Sequence, residues 1–83
     1  MYELVYSSLA VHQLEKLDEH MQERILLALE RLRIRPMSSN VKRLVGMEGY
    51  RFRVGDYRVI FDIEQEKLRI LVLQIGHRKN IYD

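Results

Sequence analysis

The sequence predicts an α+β fold: an N-terminal strand, a helical hairpin, and a C-terminal antiparallel three-stranded meander packed on the two helices, in the order β-α-α-β-β-β. Three observations carry that prediction. Apolar positions between residues 8 and 35 recur at helical spacing. Residues 50–54 and 57–63 alternate with period two, and residues 68–76 form a third, apolar run. A proline and a Ser/Asn/Gly-rich stretch separate the two regimes. The chain has 83 residues, 47% apolar and 31% charged, which is the composition of a folded protein and the length of one domain, 1–83.

Tyr2-Glu3-Leu4-Val5-Tyr6 alternates and is rich in β-formers, so it reads as the first strand. Ser7-Ser8 stops it, and Ser8 is the expected N-cap of a helix carrying Ala10, Leu14, Leu17 and Met21 on one stripe. A break is expected near Leu17-Asp18. Asp18 then caps a second helix with Met21, Ile25, Ala28, Leu29 and Leu32 inward. Pro36 ends that helix, and Arg31, Arg33 and Arg35 suit the negative end of its dipole. Residues 37–49 read as irregular.

The meander follows. Gly55-Asp56 between two alternating runs matches a type II′ turn, which sets Val54 against Tyr57, Phe52 against Val59 and Tyr50 against Phe61. Those six form an apolar face for the helices. The opposite face then collects Arg51, Arg53 and Arg58, with Arg53 directly across from Arg58. Opposed like charges destabilise a sheet, and a bound anion would relieve them. A two-residue turn at Gln65-Glu66 would pair Ile63 with Leu68 and Asp62 with Arg69, giving Arg69 an ordinary salt bridge. Counting by twos from Arg69 through Leu71, Leu73 and Ile75 brings His77 onto the arginine face, with Arg78 and Lys79 next. Leu71, Leu73 and Ile75 would then form an apolar surface beside the arginines.

Composition narrows the function. Cysteine is absent, which excludes disulfides, zinc ribbons and thiol nucleophiles. The longest apolar runs, Ile25–Leu29 and Ile70–Leu73, are far below the ~18–20 residues of a bilayer span, and the first residues lack the basic start and apolar stretch of a signal peptide, so a cytoplasmic protein is expected. Net charge is +2, but residues 41–83 carry nine Lys/Arg against six Asp/Glu, and ten of the fourteen basic residues are arginines. Arginine favours planar, bidentate contact with phosphate or carboxylate. The three histidines are scattered and no His/Asp/Glu spacing forms a ligand set, so neither metal nor cofactor is expected.

Lys42-Arg43-Leu44 with Gly46, the run YRFRVGDYRVIF (50–61) and IGHRKNIYD (75–83) occur in an order and spacing that resemble the RelE/ParE toxin superfamily, nearer its RelE branch, over essentially the whole chain. The resemblance implies a type II toxin that enters the ribosomal A site and cuts mRNA, held inactive by a RelB-like antitoxin wrapped around it. It assigns the site to Arg51, Arg53, Arg58, Arg78 and Tyr82. Two departures stand out: arginines occupy positions 51 and 53 where the family commonly has lysines, and the chain is too short for the C-terminal helix that often follows.

Metal-independent RNA cleavage needs the 2′-OH deprotonated, the extra negative charge stabilised and the departing 5′ oxygen protonated. Arg51, Arg53, Arg58 and Arg78 suit the second task; as poor bases they do not suit the first. His77 is the expected proton carrier, directly or through water. Tyr82 would stack on a base or lend its hydroxyl. Lys42, Arg43 and Lys79 are candidate contacts to mRNA or ribosomal RNA. The alternatives are a ParE-like toxin that inhibits gyrase, needing no such cluster, and a member that blocks translation without cleaving.

Overall fold

The computed structural model describes residues 1–38, 40–77 and 79. Seven elements follow one another: β1 (Glu3–Tyr6), α1 (Ser8–Glu15), α2 (Glu19–Leu32), β2 (Val41–Arg43), β3 (Tyr50–Val54), β4 (Tyr57–Glu64) and β5 (Arg69–His77). The strands form one mixed sheet in the order β1-β5-β4-β3-β2, and the helices cover one of its faces.

Both helices begin where a short polar side chain can satisfy an orphan amide. The α1 cap is Ser7 rather than Ser8: its Oγ accepts from the Ala10 N–H at 3.0 Å. Asp18 caps α2 as expected, accepting from the Met21 N–H at 2.9 Å. The Gln22 amide donates to the carbonyls of Leu14 and Leu17, each at 3.0 Å, and so ties the start of α2 to the end of α1. No helix is long and apolar enough to cross a membrane among the described residues.

The core lies between the helices and the sheet. Ala10 from α1 and Ile25, Leu29 and Leu32 from α2 meet Phe52, Val54, Val59, Phe61, Ile70, Val72 and Ile75, all buried. The β3–β4 hairpin has the register that its glycine turn dictates, with Val54↔Tyr57, Phe52↔Val59 and Tyr50↔Phe61. Gly55 has φ +60 while Asp56 is not in the left-handed region, as a type II′ turn requires. Tyr50 and Phe61 stack with ring centroids 5.5 Å apart.

Four further features depart from the sequence reading or settle what it leaves open. First, the stretch read as irregular contains β2, which pairs antiparallel with β3 and places Lys42 opposite Arg51. Second, β1 joins the sheet beside β5 and runs parallel to it. Third, the β4–β5 loop spans Gln65–Leu68, so Ile63 faces Ile70 and Arg69 faces Glu64. Leu68 there takes φ +52, and the register moves by two residues without exchanging faces. The carboxylates within reach of Arg69 are Glu3 at 3.3 Å and Glu64 at 3.9 Å, not Asp62.

The fourth departure changes the site. Phe61 pairs with Val72 but Ile60 pairs with Gln74, so Leu73 is an extra residue, a β-bulge. Beyond it the faces exchange. Ile75 enters the core opposite Val59, and His77 stands opposite Tyr57 on the helix side, their rings edge to face at 5.5 Å. The bulge is held from α1. Ser7 donates its backbone N–H to the Val72 carbonyl at 2.9 Å and its hydroxyl to the Leu73 carbonyl at 2.8 Å, while the Gln13 side chain accepts from the Ile75 N–H at 2.7 Å.

Candidate nucleic-acid interface

The face of the sheet away from the helices is basic on its β2-β3-β4 side. Alternation puts Lys42, Arg51, Arg53 and Arg58 there, because their neighbours Val41, Phe52, Val54 and Val59 must point into the core. Lys42 lies across from Arg51, and Arg53 lies across from Arg58. With Asn40 these four line a depression of about 270 Å³. Arg53 is further fixed by its own hairpin, since its Nε donates to the Gly55 carbonyl at 3.2 Å. On the same face, Ile60 and Leu44 form a small buried apolar cluster of their own.

Among the described residues every side chain lining this depression is a hydrogen-bond donor, and four of the five are cationic. Guanidinium forks from two adjacent strands converge there, a geometry suited to an oxyanion with several equatorial oxygens such as a phosphate. Among the described residues no carboxylate or imidazole lines it. The described residues of the depression thus present positive charge and hydrogen-bond donors, and none of them is an ordinary general base.

The structure gathers some of the expected site residues and separates others. Arg51, Arg53 and Arg58 come together, and Lys42 joins them through the unforeseen β2. His77 does not: the bulge at Leu73 carries it to the other face, which removes the reason for giving it the proton-transfer role. Its Nδ1 accepts from the Lys79 backbone N–H at 3.2 Å. Lys79 is exposed beyond the end of β5 and does not line the depression. Arg43 points the other way from Lys42 and sits over the Tyr50 ring, 5.8 Å from its centroid, a cation–π contact. Arg78 and Tyr82 lie outside the described residues. Asn40, which the sequence reading passed over as a turn residue, borders the depression. Only its place beside Lys42 would have marked it.

Comparisons with known proteins agree with this architecture. The model of the family described as "ParE toxin of type II toxin-antitoxin system, parDE" matches residues 4–82. Among solved structures, the archaeal RelE–RelB complex from Pyrococcus horikoshii contains a chain 27% identical to this one, superposing with TM-score 0.83 over 96% of this chain and 98% of that one. A chain of the RelBE2 toxin–antitoxin complex from Mycobacterium tuberculosis is 25% identical, with TM-score 0.81 over 93% and 98%. The isolated Escherichia coli RelE toxin, 22% identical, shares the fold with TM-score 0.81 over 93% and 84%. No curated sequence is significantly similar to the chain.

Proposed function

The chain belongs to the RelE/ParE superfamily, on its RelE-type branch, and is the toxin of a type II toxin–antitoxin system; from that premise we propose that it is a ribosome-dependent mRNA endonuclease. The observation that supports the reading most is the donor-lined depression shared by Lys42, Arg51, Arg53 and Arg58. In the proposed reaction the ribose 2′ oxygen attacks the adjacent phosphorus. The O2′–P bond forms as the P–O5′ bond breaks, the 2′ proton is removed and the 5′ oxygen is protonated. The pentavalent phosphorane carries more negative charge than the ground state, so fixed guanidinium donors stabilise it preferentially.

Arg51, Arg53 and Arg58 are assigned to the scissile phosphate, and Lys42 to the same or a neighbouring one. Arg78 and Tyr82, the positions that the family resemblance adds, are assigned charge stabilisation and either base stacking or a hydroxyl contribution, respectively. The ribosome is assigned the accommodation of the message, and the cytoplasm the location. A cognate antitoxin, acidic and RelB-like, is the proposed partner, by analogy with the RelE–RelB complexes among the similar structures.

In-vitro translation with purified protein, followed by primer extension on the message, tests the reading. The parent is expected to produce breaks at A-site codons. An Arg51→Ala/Arg58→Ala variant should cut at least about 10²–10³ times more slowly, the cost of removing an oxyanion donor. Cleavage by the variant at the parental rate would refute the assignment. A second reading is favoured by the ParE family model itself: arrest of gyrase with translation unaffected would replace the nuclease by a gyrase inhibitor. Arrested translation with intact message would mark a non-cleaving member.

A further inference from the structure

A groove of about 410 Å³ lies between α2 and the β3–β4 hairpin, and the nuclease reading gives it no task. Its floor is apolar, with Leu32 and Phe52; its rim is Arg24, Arg31, Arg35 and Arg53. Arg24 and Arg31 are seven residues apart and Arg35 four further, so they follow one stripe of α2 and its exit. Among the described residues none of these four arginines forms an ion pair with a carboxylate. Arg31 and Arg35 stand near the negative end of the helix dipole, but Arg24 stands in the body of the helix, so the dipole does not account for it. Arg24 instead lies on the hairpin turn, where a Cβ at Gly55 would be 3.0 Å from its Nη1.

The groove is continuous with the outer-face depression, because Arg53 and Asn40 line both. We propose that the two form one basic track around the β3–β4 end of the sheet, in which the α2 groove binds the backbone of single-stranded RNA continuing from the phosphate held by Arg51, Arg53 and Arg58. The inference rests on the nuclease reading for the identity of that phosphate. From Arg24 to Arg31 the helix rises about 10 Å, a length over which an extended single strand presents more than one phosphate. An acidic peptide would also meet the charge, but the shared Arg53 and Asn40 favour one polyanion that occupies both depressions.

The test is fluorescence anisotropy with a labelled single-stranded RNA of about 15 nucleotides, fully 2′-O-methylated so that it binds without being cut, titrated at several salt concentrations. Arg31→Gln/Arg35→Gln is compared with the charge-matched Lys16→Gln/Lys67→Gln, whose sites are exposed and line neither depression. Losing two phosphate contacts on a single strand should lower the slope of log affinity against log salt by about 1.4. The arginine pair is expected to show that loss and the lysine pair to keep close to the parental slope, with thermal melts confirming that all three chains fold. Equal slopes for the two variants, or no salt-dependent binding by the parent, would overturn the track. So would an arginine pair that keeps the RNA slope but loses binding of a poly-glutamate probe, which would make the groove a peptide seat. A parent that cuts message while the arginine pair binds normally refutes the groove alone; a parent that never cuts, with the slope lost as expected, refutes the nuclease reading alone.

Discussion

One hydroxyl, that of Ser7, accepts from the Ala10 N–H at 3.0 Å to cap α1 and donates to the Leu73 carbonyl at 2.8 Å to hold the bulge. Ser7→Ala removes both bonds. The cap is worth about 1 kcal/mol, and the bond to the carbonyl about 1 kcal/mol more. Near 4–8 °C per kcal/mol for a chain of this size, the melting temperature should fall by about 8–16 °C. Ser7→Asp separates the two contributions. A carboxylate still accepts from the Ala10 amide but has no proton for Leu73, and its charge faces the carbonyl oxygen. It should therefore cost about 1 kcal/mol net, a drop of about 4–8 °C, despite favouring the helix dipole. Circular dichroism melts of the three proteins at pH 7 give the answer. If Ser7→Asp melts at or above the parent, the bond to the bulge contributes nothing and the account of how α1 holds β5 is wrong.

Three further outcomes are expected. Leu68, 52% exposed with φ +52, should be replaceable by Asn or Gly with a gain of about 0.5–1 kcal/mol, because little burial is lost and the left-handed strain is relieved; an unchanged urea midpoint would count against strain at that turn. Arg53→Glu sets a carboxylate across from Arg58 and should stabilise the hairpin by about 0.5 kcal/mol at low salt while abolishing A-site cleavage, so a variant that is both more stable and fully active would contradict the site assignment. Burial, reinforced by Glu30 and opposed by Arg33, raises the Tyr6 phenol above its ordinary 10.0, so the folded chain holds that proton longer than the unfolded one. Stability from this source is present below pH 10 and is lost as pH rises beyond it; urea midpoints of the parent should fall relative to Tyr6→Phe as pH rises above 10, and parallel curves would remove the effect.

What was legible in the sequence was whatever local chemistry fixes alone. Gly55-Asp56 determines a turn type, the turn determines the register, and the register brings Arg51, Arg53 and Arg58 to one face, as observed. The helix pair was legible because Asp18 and the stripe through Ile25 and Leu29 carry both a start signal and a period. Other features depend on distant partners. A three-residue strand such as Val41–Arg43 is too short to show alternation and exists because β3 offers it a ladder, so Lys42 could be named but not placed. The bulge at Leu73 leaves no mark in an unbroken apolar run, since both faces of that strand accept apolar residues; its cause is the reach of Ser7 and Gln13 from α1. His77 was displaced for that reason, and parity counted along a strand holds only up to the first extra residue. Arg31 and Arg35 read as cations suited to the end of a helix dipole until the hairpin closed against them.

The strand order also governs when this toxin can become one. β5 is the last of the five strands to be synthesised, yet it lies between β1 and β4 and is the strand that β1 pairs with. Until it is made, residues 3–6 have no neighbour in the sheet, and Ser7 and Gln13 have no bulge to hold. Joining residue 3 to residue 69 closes a loop of most of the chain, a non-local step that slows folding and comes late in it. A nascent chain halted anywhere before β5 therefore carries the hairpin of β3 and β4 without the strand that ties it to β1, and the ribosome making this protein meets the complete five-stranded sheet only after β5 has been translated.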